Sequence, residues 1–292
     1  MKAPAKKAPS RKSVPSDIEL DIFFKKDGLY YDSEKCNILM YVDKDCPENV
    51  VMDDRCSEIK ERYSMFPTQV KSVVVSKNIE NIQTNTFNFC RNLKNVVLPE
   101  NLKVIGKEAF GRCESLTEIN LPKNLEIIRT EAFRNAALKE LTLPDSLIEL
   151  GSGAFYCCDE LKTVKIGKSL DTINSRAFSS CYKLTSVDLA NVNTIGEGAF
   201  MYCKSLEEIY IPDGVESVFW NAFYDCHKLK EITMSKAEYD KLSITSYDFI
   251  VKNKSFIKII SLENIIDKAL DEGKPLKEIN DLIKKYNAEY EK

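Results

Sequence analysis

The chain has a single histidine, a single tryptophan and little net charge. One histidine argues against a catalytic triad and against a multi-histidine metal centre. No stretch reaches the roughly 18 to 20 consecutive apolar residues of a membrane-spanning helix. The first residues carry no apolar run, so no secretory signal peptide is expected. Lysine and arginine number 42 against 45 acids, a formal charge of −3, so the whole protein is not an electrostatic trap for nucleic acid. No nucleophile–base, phosphate-loop or metal-ligand signature stands out. The expectations are therefore no enzymatic activity, no cofactor, no metal and no small-molecule substrate. What is present is ordinary for a folded chain: 292 residues, 43% hydrophobic and 30% charged. That composition excludes chain-wide disorder and fits one large domain or two smaller ones.

Residues 1–16 differ from the rest. Lys2, Lys6, Lys7, Arg11 and Lys12 contribute five positive charges, with no acid before Asp17. Pro4, Pro9 and Pro15 block regular structure. This segment reads as a disordered basic arm: a solubilising tail, or a contact for an acidic partner such as nucleic acid or anionic lipid. Setting its five positive charges against −3 overall leaves −8 on the remainder.

A repeat organises most of the remaining chain. Phenylalanine recurs at Phe87, Phe110, Phe133, Phe155, Phe178, Phe200 and Phe223, in steps of 23, 23, 22, 23, 22 and 23. Alanine precedes each one except the first, where Thr86 stands. Cysteine follows three residues later at Cys90, Cys113, Cys158, Cys181, Cys203 and Cys226. In the third unit Ala136 replaces it and the turn is one residue short. Units start at Val70, Leu93, Leu116, Leu138, Leu161, Leu184, Leu206 and Leu229, with apolar residues at positions 1, 4 and 6. Proline often follows, as at Pro99, Pro122, Pro144 and Pro212. Two apolar residues three apart come next, then often Gly or Asn, as at Gly106, Gly151, Asn174 and Gly196. These residues tolerate positive φ and suit a sharp corner.

A 23-residue unit cannot bury its own apolar face, whereas stacked copies share one core. Positions 4 and 6 point inward and 3 and 5 outward, the period of a strand. Successive strands then form a parallel sheet, which proline terminates because it cannot donate to the ladder. The Ala-Phe segment reads as a helical turn whose Phe plugs the core. Seven to eight coils at about 4.8 Å each make a solenoid of about 35 Å. The column of cysteines is expected to pack as small buried hydrophobes, since a ladder of sulfurs does not present a tetrahedron.

Units such as LKNVVLPENLKVIGKEAFGRCES, from Leu93 to Ser115, resemble the BspA-like branch of the leucine-rich repeat proteins, as does Leu138 to Glu160. The resemblance spans about Val70 to Thr233. It implies a leucine-rich repeat solenoid, mainly β with short helical turns and parallel stacked strands. An N-terminal β-hairpin cap is expected within residues 17–69, around Leu29, Tyr31, Leu39 and Tyr41, together with a degenerate coil containing Ile59 and Phe66. A C-terminal cap is expected within residues 234–292. There Phe256 to Ile260 is β-prone, and Leu262 to Leu270 and Leu276 to Tyr286 read as a helical hairpin.

Candidate binding residues lie in the outward strand columns: Glu118, Glu140, Lys165, Asp188, Glu208, Tyr210 and Glu231. Valines sit at one end of this face and an acidic, aromatic patch at the other. Repeat scaffolds read extended partners with such a surface. Trp220 is either an exposed anchor or packing against the final coil. Cys226 and His227 are adjacent, a spacing that seldom brings two side chains face to face. Gly196 to Gly198 reads as a corner.

The resemblance implies adhesion or host recognition, as for surface proteins of bacteria and anaerobic protists. The missing signal peptide and span favour a cytoplasmic or nuclear scaffold, with surface exposure by an unconventional route as the other outcome. The expected function is a non-enzymatic solenoid that binds a protein partner on its strand face. The rival is a nucleic-acid or chromatin-associated protein acting through the basic arm.

Overall fold

The structure, a computed structural model, describes residues 24–61, 65–255, 257–260, 274, 275, 277, 278, 280–282 and 284. A typical coil contributes two short strands and a turn segment, and all three sides can bond to the neighbouring coils. The first side is the expected strand column. Asn49–Val51, Ser72–Val74 and Asn95–Val97 pair in parallel with no shift in register. Glu140–Thr142, Thr163–Lys165 and Ser186–Asp188 form a second run, and Glu208–Tyr210 pairs with Glu231–Ser235 in a third. Leu141, Val164 and Ile209 point into the core at 3%, 2% and 3% exposure, while their flanking residues face solvent. This alternation is the strand period read from the sequence.

The single continuous sheet is not what forms. Residues 118–120 are not a strand, and Ser186–Asp188 does not pair with Glu208–Tyr210. Both breaks lie in the two repeats that are one residue short. In the unit starting at Leu116 the deletion follows Phe133. In the unit starting at Leu184 it follows the strand, where Asp188 Oδ1 accepts from the Ala190 amide and Ala190 takes φ 47°. The Phe stack passes through both units unbroken.

A second parallel column was not foreseen. Asn81–Ile82, Val104–Ile105, Ile127–Ile128 and Glu149–Leu150 pair in sequence, as do Thr172–Ile173, Thr194–Ile195 and Ser217–Val218. Each ends on the second of the two apolar residues three apart. Gly106, Gly151 and Gly196 follow them, and their role differs from the expected one. None of the three has positive φ. A Cβ on Gly151 would lie 2.3 Å from the Thr130 nitrogen, and on Gly106 2.7 Å from the Ile82 oxygen. Close approach of the preceding coil's backbone is what requires glycine there. Asn174, at the same place, bonds the Leu150 carbonyl through Nδ2 at 2.8 Å.

The Ala-Phe segment closes the third side, and not as a helical turn. Turns of the i to i−3 kind begin at every second residue: Ala109 to Gly106, Gly111 to Glu108, Cys113 to Phe110. The alternate amides point out of the coil. Glu108, Phe110 and Arg112 donate to Thr130, Ala132 and Arg134 of the next one. This alternation puts non-glycine residues in the left-handed region, Glu108 at φ 51° and Arg112 at 58° among them. The repeated inter-coil hydrogen bonds hold them there.

The core is a stack of phenylalanines. Phe66 joins it 4.6 Å from Phe87, and the rings continue to Phe223 in steps of 5.0 to 5.5 Å. The cysteines are buried beside it, as expected, but they also bond. Cys113 Sγ donates to the Phe87 carbonyl at 3.3 Å, and Cys90, Cys158, Cys181, Cys203 and Cys226 repeat the contact at 3.2 to 3.3 Å. Burial pushes the thiols of Cys113, Cys158, Cys181, Cys203 and Cys226 up, the last to about 12.

At the N-terminal end, Leu29–Tyr31 and Ile38–Val42 form the expected antiparallel pair. Phe24–Lys26 adds a third strand through a two-residue turn at Asp27 and Gly28, both at positive φ, the signature of a twisted hairpin turn. Asp53 is buried beneath it. Its carboxylate accepts from Lys26 at 2.7 Å and from Arg55 at 2.8 and 2.9 Å, which holds its carboxyl well below the usual range.

At the other end, Glu231–Ser235 runs into helix α1 (Lys236–Thr245), capped by Ser235 Oγ accepting from the Glu238 amide at 3.1 Å. Helix α2 (Tyr247–Asn253) follows, then the strand Ile257–Ile260, parallel to Glu231–Ser235. Phe249 of α2 lies 6.2 Å from Phe223, tilted by 54°, so these helices occupy the place of a further coil. The Ser246 hydroxyl accepts the Val218 amide, and a Glu238 carboxylate oxygen accepts that of Gly214. The expected hairpin of Leu262 to Leu270 and Leu276 to Tyr286 falls largely outside the described residues. Within it, residues 277, 278, 280–282 and 284 are helical.

Candidate binding surface

The strand face divides the candidate residues into groups. Glu140, Lys165 and Asp188 share one sheet segment, all exposed, with Lys165 beside Asp188 in register. Glu208, Tyr210 and Glu231 share another, with Glu208 beside Glu231 and Tyr210 beside Thr233. Glu118 is exposed but belongs to no strand, because the sheet is interrupted at its coil. The acidic end is less acidic than its sequence. Lys258, on the strand beyond, reaches Glu231 Oε2 at 3.3 Å, and the Thr233 hydroxyl bonds Oε1 at 2.9 Å. Among the described residues no cation pairs with Glu208, which lies near Tyr210 at 39% exposure.

The opposite end of the face is apolar. Val51, Val74 and Val97 stack in register, exposed by 65%, 38% and 56%. Val51 was missed because its coil precedes the first repeat that the phenylalanine spacing marks.

A second exposed surface lies on the turn edge. Phe219, Trp220 and Tyr224 are each about half exposed. Trp220 and Tyr202 both meet Tyr224 edge-on, at 6.5 and 6.2 Å between centroids. Trp220 is thus an outward ring against Tyr224. The signal was in the alignment of the repeats: Phe219 stands where other coils have Gly, Asn, Gln or Arg. Arginine also favours this edge. Arg112 lies over the Phe89 ring and Arg134 over Tyr156, at 5.3 and 5.6 Å.

The residues considered for chemistry do not converge. Cys226 is buried and bonded to the preceding coil, while His227 is exposed and meets Asp225 at 3.4 Å. Gly196 to Gly198 forms a corner against the Ile173–Ser175 backbone and the Asn221 side chain. Among the described residues no group of three His, Cys, Asp or Glu is placed to hold a metal ion. Among them, too, no helix is long and apolar enough to cross a membrane.

The fold has solved counterparts. A leucine-rich repeat protein of T. pallidum superposes with a TM-score of 0.53 at 20% identity, covering 75% of this chain and 91% of that one. A leucine-rich repeat protein of Bacteroides ovatus aligns at 19% identity over 82% and 97%, with a TM-score of 0.39. No curated protein matches the sequence. The family model described as "BspA type Leucine rich repeat region" matches residues 44–139 and 126–255, in six copies. With its repeat phase, its parallel columns and this match over most of its length, the chain belongs to the BspA-type leucine-rich repeat family.

Proposed function

We propose that the chain is a non-enzymatic scaffold that recognises a protein partner through its strand face. The family commonly mediates protein binding. The observation that carries the reading is the exposed strand face, in register within each of its three segments. Its exposed side chains repeat at one coil step and change along the array from stacked valines to Lys165 and Asp188, then to Glu208 and Tyr210. An extended partner meets such a column residue by residue, and Tyr is a favoured anchor at protein interfaces. An exposed strand row along the array is the surface an extended ligand would use.

The test is a cross-linking pull-down from the native cell followed by mass spectrometry. The full chain is compared with a Glu208→Lys, Tyr210→Ala variant and with a version lacking residues 1–16. The expected result is a protein partner lost with the face variant and retained without the arm. A partner that depends only on the arm would sink this reading and move the function to the tail.

A further inference from the structure

The Ala-Phe turns line up along one straight edge of the solenoid. From Phe110 to Phe223 successive rings lie within 2 to 7° of parallel. The spacing is nearly even on either side of Phe155, the middle of the seven rings from Phe87 to Phe223. Two steps of 5.1 Å lead back to Phe110, and steps of 5.4 and 5.5 Å lead on to Phe200. A second copy laid antiparallel along this edge, about a two-fold axis level with Phe155, therefore sets each turn column against itself in reversed coil order. The coils stay in register, and the contact is isologous.

The charges along the edge suit that arrangement. In the column three residues before each Phe, exposed Lys107 comes opposite exposed Glu197. In the column two before, Glu131 comes opposite Arg176. Glu131 already bonds Arg134 at 2.8 Å through one oxygen, and no carboxylate among the described residues lies within 4 Å of Arg176. In the column two after, Arg112 meets the Tyr202 ring, the kind of stacking this edge already shows with Phe89. Neither these three columns nor the one directly after Phe sets like charges opposite one another. At the outer end, exposed Trp220 meets the uncharged Thr84 of the first coil. At the axis sits Cys157, the one cysteine of ten that is not buried.

We propose that two copies of this chain associate antiparallel along the turn edge, about a two-fold axis at Phe155. The contact is seven coils long and a few residues wide, roughly 400 Å² per copy, about half a standard interface. A dissociation constant on the order of tens of micromolar is expected for so small a contact. The strand faces stay open, so the dimer presents two of them.

Sedimentation equilibrium of the full chain, from about 5 to 300 µM so as to bracket the expected constant, is the first measurement. A monomer–dimer equilibrium is expected. Glu197→Lys sets lysine against Lys107 twice, because the axis doubles every substitution, and should weaken association by about tenfold or more. Adding Lys107→Glu restores the opposite charges and should restore the dimer. Both sites are exposed, and unchanged thermal melting shows that the variants fold. A short bis-maleimide should link two copies through Cys157, and Cys157→Ser should abolish the link. A chain that stays monomeric throughout the range overturns the proposal. So does a dimer that Glu197→Lys leaves intact, or one that cross-links equally well after Cys157→Ser.

Discussion

Replacing Phe155 with alanine removes the centre of the stack. The side chain is fully buried, 5.1 Å from Phe133 and 5.4 Å from Phe178. A buried Phe→Ala change costs about 3 to 5 kcal/mol through lost transfer energy and the cavity left behind. Two parallel ring contacts are lost as well, each worth about 0.5 to 1.5 kcal/mol beyond burial, so the upper part of that range applies. The flanking coils are tied by backbone ladders on two or three sides, which limits collapse into the cavity. With a urea slope of about 2 to 3 kcal/mol/M, the midpoint should fall by about 1.5 to 2 M. Stability in a stacked array is nearest-neighbour in nature, so the loss should also divide it. Trp220 provides the assay, because the chain's one tryptophan reports only the C-terminal coils. In the wild type its fluorescence and the far-ultraviolet circular dichroism should follow one transition. In Phe155→Ala they should separate, the C-terminal coils unfolding at a different urea concentration from the rest. Coincident curves with an unchanged midpoint would refute the assignment of the stack as the element that couples the coils.

Gly151→Ala should destabilise by about 1 to 3 kcal/mol, because the added methyl meets backbone at 2.3 Å, whereas exposed Ser152→Ala should change stability by less than about 0.5 kcal/mol in the same denaturation. Iodoacetamide on the native protein should modify Cys157 and spare the column cysteines, whose thiols are buried and pushed up; modification of Cys113 or Cys181 in intact protein, read by mass spectrometry, would contradict the ladder. The two ends should respond oppositely to acid. Asp53 titrates below its unfolded range in the native state, so its contribution is present above about pH 4 and is lost as pH falls further. Burial raises the Glu238 carboxyl, with the Gly214 amide hydrogen bond and Lys241 opposing and Asp213 adding to the shift, so its ionisation weakens the α1 end as pH rises above about 4.3. Hydrogen exchange between pH 4 and 7 should show that end tightening toward pH 4, and Glu238→Gln should remove the trend.

The repeat, its inward Leu and Phe positions and the outward columns at Glu140, Lys165, Asp188, Glu208 and Tyr210 were legible because they are properties of one coil. A residue's place in a 23-residue period determines whether it faces core or solvent, and stacking copies leaves that unchanged. Properties that depend on what the next coil brings were not legible. Gly151 stands for a backbone 2.3 Å away in another repeat, not for its own φ. The cysteine column hid a hydrogen bond to the preceding coil's Phe carbonyl, and residues 104–105 and their counterparts hid a second ladder.

At the ends, Phe249 continues the stack from a helix that has no repeat phase at all, and Lys258 neutralises part of an acidic patch 27 positions earlier. The sequence by itself determined that this protein is a stacked array whose repeats have an inward and an outward side to their strands, since local apolar spacing leaves no other way to bury so many Phe and Leu. Only the tertiary structure decided where the strand column breaks, which ring or charge beside a candidate residue changes its character, and that Trp220 and the arginines share an edge. Those depend on contacts across coils, which no single repeat records.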